Sequence, residues 1–89
     1  YYDRVDLEME PSHRSRVAQT LDGMAPDAVA GTPVERVDRT DGVMLVLTDG
    51  SWVLYRLSGT EPLVRIYVET DSQARVRELL DAGQKLLSL

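Results

Sequence analysis

The chain of 89 residues has no cysteine, no phenylalanine, one histidine and one tryptophan. Without cysteine there can be no disulfide framework, thiolate nucleophile or cysteine-ligated zinc. His13, the one imidazole, cannot by itself build a histidine-rich catalytic metal centre. Long apolar runs are also missing: the longest is Val43 to Leu47, against about 20 residues for a bilayer-spanning helix. Tyr1 to Glu10 alternates charged and apolar positions and has no signal-peptide apolar stretch. A cytoplasmic protein with no membrane partner is therefore expected. Lysine is nearly absent too, since Lys85 stands alone beside nine arginines. Arginine suits fixed, bidentate anion contacts better than lysine does. The net charge of -5 and the pI near 4.7 argue against a nucleic-acid partner, whose affinity comes largely from basic groups on phosphates. A local anion site remains compatible with that balance.

The length corresponds to one domain, residues 1–89, with a modest core. Val5, Leu7 and Met9 alternate with Asp6 and Glu8, which predicts a strand over Tyr2–Met9. Pro11 breaks it, and Ser12 is the expected N-cap of a helix running to about Asp22. That helix carries Val17, Leu21 and Met24 on one stripe, and Gly23 is its expected stop. Residues 25–33, with Pro26, Gly31 and Pro33, read as a loop. Val34–Thr40 is a weak strand signal because Val34 and Val37 break alternation. Val43–Thr48 should be a central strand. Asp49-Gly50 is a strong hairpin signal, and Ser51–Leu57 returns from it. Leu63–Glu69 is a further strand rich in Val, Ile and Tyr. From Asp71 the period becomes helical, with Val76, Leu79, Leu80, Gly83 and Leu87 on one face and Thr70 or Asp71 as cap. The order β-α-β-β-β-β-α, with short turns, predicts an α+β fold in which two helices cover one face of an antiparallel sheet.

One stretch carries chemistry: Arg56-Leu57-Ser58-Gly59-Thr60-Glu61-Pro62, followed by Arg65. Arg56 closes a strand, on the face opposite Tyr55 and Leu57. Ser58 and Thr60 offer hydroxyls two residues apart. Gly59 can adopt φ > 0 and lets backbone come close to a bound group. Successive amides in such a turn can form an anion nest. An antiparallel return brings Arg65 back toward Arg56. Two guanidiniums, two hydroxyls and a glycine-centred turn suit the three oxygens of a phosphate monoester. Within Ser51–Val68 the charges are Arg56, Glu61 and Arg65 alone, which makes this segment locally positive in an acidic chain. A common hairpin loop with solvated arginines is the bland reading of the same residues.

Residues 52–69, WVLYRLSGTEPLVRIYVE, resemble the C-terminal domain of the α-D-phosphohexomutases: phosphoglucomutases, phosphomannomutases and phosphoglucosamine mutases. That domain carries an R-x-S-G-T-E-P phosphate loop followed by a strand of the R-I/V-x-V-E kind. Asp49-Gly50-Ser51-Trp52 fits the family's hairpin, and the element order matches the family domain, whose fold is similar to that of the TATA-binding protein. The resemblance implies that Arg56, Ser58, Gly59 and Thr60 contact substrate phosphate, with Arg65 as a second basic group. It further implies a hexose phosphate or bisphosphate as partner. The loop would hold the non-transferred phosphate while the other moves between the 1- and 6-positions. Tyr67 leans toward the gluco/manno group, because phosphoglucosamine mutases tend to carry Met there. A phosphoglucosamine mutase domain and a stand-alone anion-binding or interaction module of the same fold are the alternatives.

The family's phosphoserine loop, Asp-rich magnesium loop and sugar-specificity loop have no counterpart in these 89 residues. The expectation is therefore a fragment of a larger isomerase. It holds no catalytic residue, metal ligand or cofactor of its own and is not active alone. Magnesium and the preceding domains of the same polypeptide supply the rest. His13 reads as a surface or capping residue, and Trp52 as core packed against a helix.

Overall fold

A computed structural model describes residues 1–87. Six strands form one antiparallel sheet in the order β1-β6-β5-β4-β3-β2: β1 (Tyr2–Glu8), β2 (Ala28–Val29), β3 (Thr32–Asp38), β4 (Val43–Leu47), β5 (Trp52–Leu57) and β6 (Leu63–Glu69). Helix α1 (Arg14–Asp22) follows β1, and α2 (Gln73–Leu86) follows β6. The α+β class and the two helices agree with expectation. The second strand, β2, falls inside the segment read as a loop.

Side-chain parity explains which face the helices take. Val43, Leu45, Val53, Tyr55, Val64, Ile66 and Val68 are buried and occupy matching register positions on β4, β5 and β6. Val17 and Leu21 of α1 and Val76 and Leu79 of α2 complete the same core. Burying apolar area at roughly 25 cal/mol per Å² is what holds helices to sheet. Helix α2 comes close to the sheet at Gly83: a Cβ there would lie 3.2 Å from the Tyr55 hydroxyl and 3.4 Å from Val53 Cγ1. The glycine carbonyl accepts a buried 2.7 Å hydrogen bond from that same hydroxyl.

The irregular spacing of Val34 and Val37 has a structural cause. Val34 pairs with Leu47 and Arg36 with Val46, so Glu35 is an extra residue in a β-bulge. The bulge puts Val34 and Val37 on the helix-covered face together, as partners of Leu47 and Leu45.

Three local expectations are corrected. Ser12 lies inside a 3-10 turn, Pro11–His13, and α1 starts after His13 with no side-chain cap; the proline takes the first turn, where a missing N–H costs nothing. Ser72 caps α2 by accepting from the Arg75 amide at 3.1 Å. Thr70 is instead buried, with its hydroxyl 2.7 Å from that of Ser51. Trp52 is half-buried on the sheet face away from the helices, where its ring lies 6.3 Å from that of Tyr2.

Candidate functional site

Hairpin geometry builds the site. Arg56 near the end of β5 and Arg65 on β6 are direct register partners. Both belong to the row that leaves the helix-covered face free, because their neighbours Tyr55 and Ile66 take the core side. Directly opposed antiparallel residues have Cβ atoms about 4.5–5.5 Å apart, so two like charges are held side by side. That arrangement is unfavourable unless an anion lies between them. Arg56 is exposed and has no ion-pair partner among the described residues. Arg65 is only partly free: its Nε lies 3.8 Å from Asp6 Oδ1, an oxygen that also sits 3.5 Å from Arg4 Nε.

The loop above them, residues 58–62, is closed at both ends. The Ser58 amide donates to the Leu63 carbonyl at 3.0 Å, continuing the ladder past its last strand pair. The Leu63 amide donates back to the Glu61 carbonyl at 2.8 Å. Ser58 is buried, and its Oγ accepts from the Glu61 amide at 3.1 Å and the Thr60 amide at 3.4 Å. This is the turn that serine side chains favour. Its consequence differs from the expected nest, since two amides point inward to the serine. Gly59 lies outside the left-handed region, and a Cβ on it would meet nothing within 4 Å. The expected need for φ > 0 at Gly59 is therefore absent here. The remaining loop donors are the Gly59 amide, the Thr60 hydroxyl and the Ser58 hydroxyl proton. None of the three has an acceptor among the described residues.

Two supports escaped the sequence reading. Arg14, at the first position of α1, donates through Nη2 to the Ser58 carbonyl at 2.6 Å. Gly42, at φ 124° in the β3–β4 turn, presses on β5: a Cβ there would stand 2.3 Å from the Tyr55 carbonyl oxygen and 3.2 Å from Arg56 Cγ. Asp41-Gly42 signals a turn in sequence, but nothing local reveals its contact with Arg56. Nor could Arg14 be linked to the loop, 44 residues away, without the fold.

His13 is exposed and belongs to the 3-10 turn rather than to the arginine pair. No group of three or more His, Cys, Asp or Glu placed to hold a metal ion occurs among the described residues. No helix among these residues is long and apolar enough to cross a membrane. A concavity of about 500 Å³ lies between the start of β1 and α2, lined by Tyr2, Arg4, Val76, Arg77 and Leu80 among others. It sits at the opposite end of β1 from the loop.

Residues 13–84 match the family model described as "Phosphoglucomutase/phosphomannomutase, C-terminal domain". The chain belongs to this family. A phosphoglucomutase/phosphomannomutase of Thermococcus kodakarensis is 50% identical over 52 residues, 58% of this chain and 11% of that protein. A probable phosphoglucosamine mutase of Methanopyrus kandleri is 60% identical over 45 residues, 51% of this chain and 10% of its own length. One from Thermococcus gammatolerans is 30% identical over 77 residues, covering 86% of the chain and 17% of the relative. The matched part of this chain spans between a tenth and a fifth of the length of these curated relatives.

Proposed function

We propose that this is the phosphate-binding domain of a larger cytoplasmic phosphohexomutase, with Arg56, Ser58, Gly59, Thr60 and Arg65 holding the non-transferred phosphate of a hexose phosphate. The observation that carries the reading is the register of Arg56 with Arg65 at the foot of the loop. Two forced-together guanidiniums are relieved by a dianion, and bidentate hydrogen bonds fix its orientation. The domain's contribution is positioning and charge neutralisation, with no covalent step. The phosphoryl-transfer groups and magnesium would lie in other domains of the same polypeptide, where the metal would neutralise charge on the moving phosphate. On this reading the 89-residue chain alone binds phosphate weakly and does not turn over.

Glucose and mannose phosphates are the first substrate reading, as in the name of the Thermococcus kodakarensis relative. The Methanopyrus kandleri and Thermococcus gammatolerans relatives carry the phosphoglucosamine mutase name, which supports that substrate as the second reading. An amide-resolved NMR titration with inorganic phosphate tests the site. Saturable shifts centred on residues 56–65, lost in Arg56→Ala, are expected. Evenly spread shifts would remove the loop as a preformed site. Turnover of glucose 1-phosphate against glucosamine 6-phosphate by the intact polypeptide decides the sugar.

A further inference from the structure

The connection between β1 and α1 grips the loop at both ends. The Met9 amide donates to the Pro62 carbonyl at 2.9 Å, and Arg14 Nη2 donates to the Ser58 carbonyl at 2.6 Å. Between the two anchors the chain makes one tight turn, Pro11–His13, closed by the His13 amide on the Glu10 carbonyl at 2.8 Å. The anchors are therefore held at a fixed spacing by a short, proline-containing segment.

The Ser58 carbonyl belongs to the same peptide plane as the Gly59 amide. In a trans peptide the C=O and N–H point in opposite directions, and no cis peptide bond occurs among the described residues. Drawing the carbonyl onto Arg14 thus turns the Gly59 N–H away from α1. That N–H has no acceptor among the described residues, whereas the Thr60 and Glu61 amides are consumed by Ser58 Oγ. It is the one loop backbone donor left for an anion. A guanidinium on the carbonyl also polarises the peptide and strengthens the amide as a donor.

We propose that Arg14 is the positioning residue of the phosphate loop: through the Ser58 carbonyl it aims the Gly59 amide at the bound phosphate. This rests on the phosphate-binding reading above. Arg14 touches neither sugar nor phosphate, and its effect is read at Gly59.

The test is the inorganic phosphate titration of the 89-residue chain, comparing wild type, Arg14→Met, Arg14→Lys and Arg56→Ala. Methionine keeps much of the length and loses the donor; lysine keeps a charged donor. The expected result is roughly tenfold weaker binding in Arg14→Met, the worth of one charge-assisted hydrogen bond, with loss of the phosphate-induced shift at Gly59. Arg14→Lys should recover most of the affinity, within about threefold of wild type. Core amides of Tyr55 and Ile66 should be unmoved, which a general loss of structure would not allow. If Arg14→Met fails to fold, Arg14→Leu, which also lacks a side-chain donor, carries the same comparison. Wild-type affinity and an intact Gly59 shift in the donor-less variant, with Arg56→Ala still defective, overturn the role of Arg14 and leave the phosphate reading standing. A wild type with no saturable shift overturns both.

Discussion

Arg65 meets Asp6 as well as Arg56: Asp6 is its register partner on β1, and Arg56 is its register partner on β5. The middle arginine is thus shared between a carboxylate and a like charge. Arg56 holds the unencumbered guanidinium and should be the stronger anion contact, while Arg65 must partly leave Asp6 to join it.

Removing that competitor should tighten the site. Asp6 is solvent-exposed, and exposed ion pairs are worth at most about 1 kcal/mol. Asp6→Asn is expected to raise phosphate affinity by about two- to fivefold, measured by calorimetry. Unchanged affinity would mean that Arg65 takes no part in binding.

The turn at Gly42 should matter to both stability and site. Any side chain there needs φ near +124° and collides with the Tyr55 carbonyl oxygen at 2.3 Å. Gly42→Ala is expected to cost about 1–3 kcal/mol or more, seen as a lower urea midpoint. It should also weaken phosphate binding, because Arg56 Cγ is the next atom in its path.

Ala30 runs the other way. It sits at φ 48°, followed by Gly31 at φ 82°, in the two-residue turn joining β2 to β3. Both angles fit a type I′ turn, which favours Asn at the first position. Ala30→Asn should stabilise by about 0.5–1 kcal/mol and raise Tm by about 2–8 °C. A lowered Tm would show that the alanine makes a contact the turn geometry does not reveal.

Burial pushes the Tyr55 phenol well above its ordinary value of 10.0. The folded state therefore keeps the proton that the unfolded chain gives up. The stabilisation from this group is complete below pH 10 and fades as pH rises beyond it. Tyr55→Phe should cost about 1–3 kcal/mol at neutral pH, since the Gly83 carbonyl loses its donor. The variant should also lose stability less steeply than wild type above pH 10, in urea titrations at stepped pH.

What the sequence made legible was local. Asp49-Gly50 between two apolar runs fixes the β4–β5 hairpin, while the register that sets Arg56 opposite Arg65 belongs to the β5–β6 pair across the 58–62 loop. Helix faces followed from Val17 and Leu21, and from Val76 and Leu79, whose spacing is helical. Features that depend on distant partners were not legible. Ala28–Val29 became a strand because Val29 is buried against the core, which a two-residue signal bounded by Pro26 and Gly31 cannot announce. Ser72, not Thr70, caps α2 because Thr70 is claimed by Ser51 across the sheet. Trp52 looked like core by size, but its parity with Arg56 puts it on the open face beside Tyr2. In the loop, Ser58 took the amides that a nest would have offered.

The central claim is that Arg56 and Arg65 clasp one phosphate beneath the loop. Its most direct measurement is an NMR titration of the arginine Nε–Hε and loop amide signals with glucose 6-phosphate, alongside unphosphorylated glucose. Saturable shifts at Arg56, Arg65 and Gly59 with the phosphorylated sugar, and none with glucose, are the expected result. Equal shifts with both sugars, or shifts confined to Arg4 and Arg77 in the groove between β1 and α2, would contradict it.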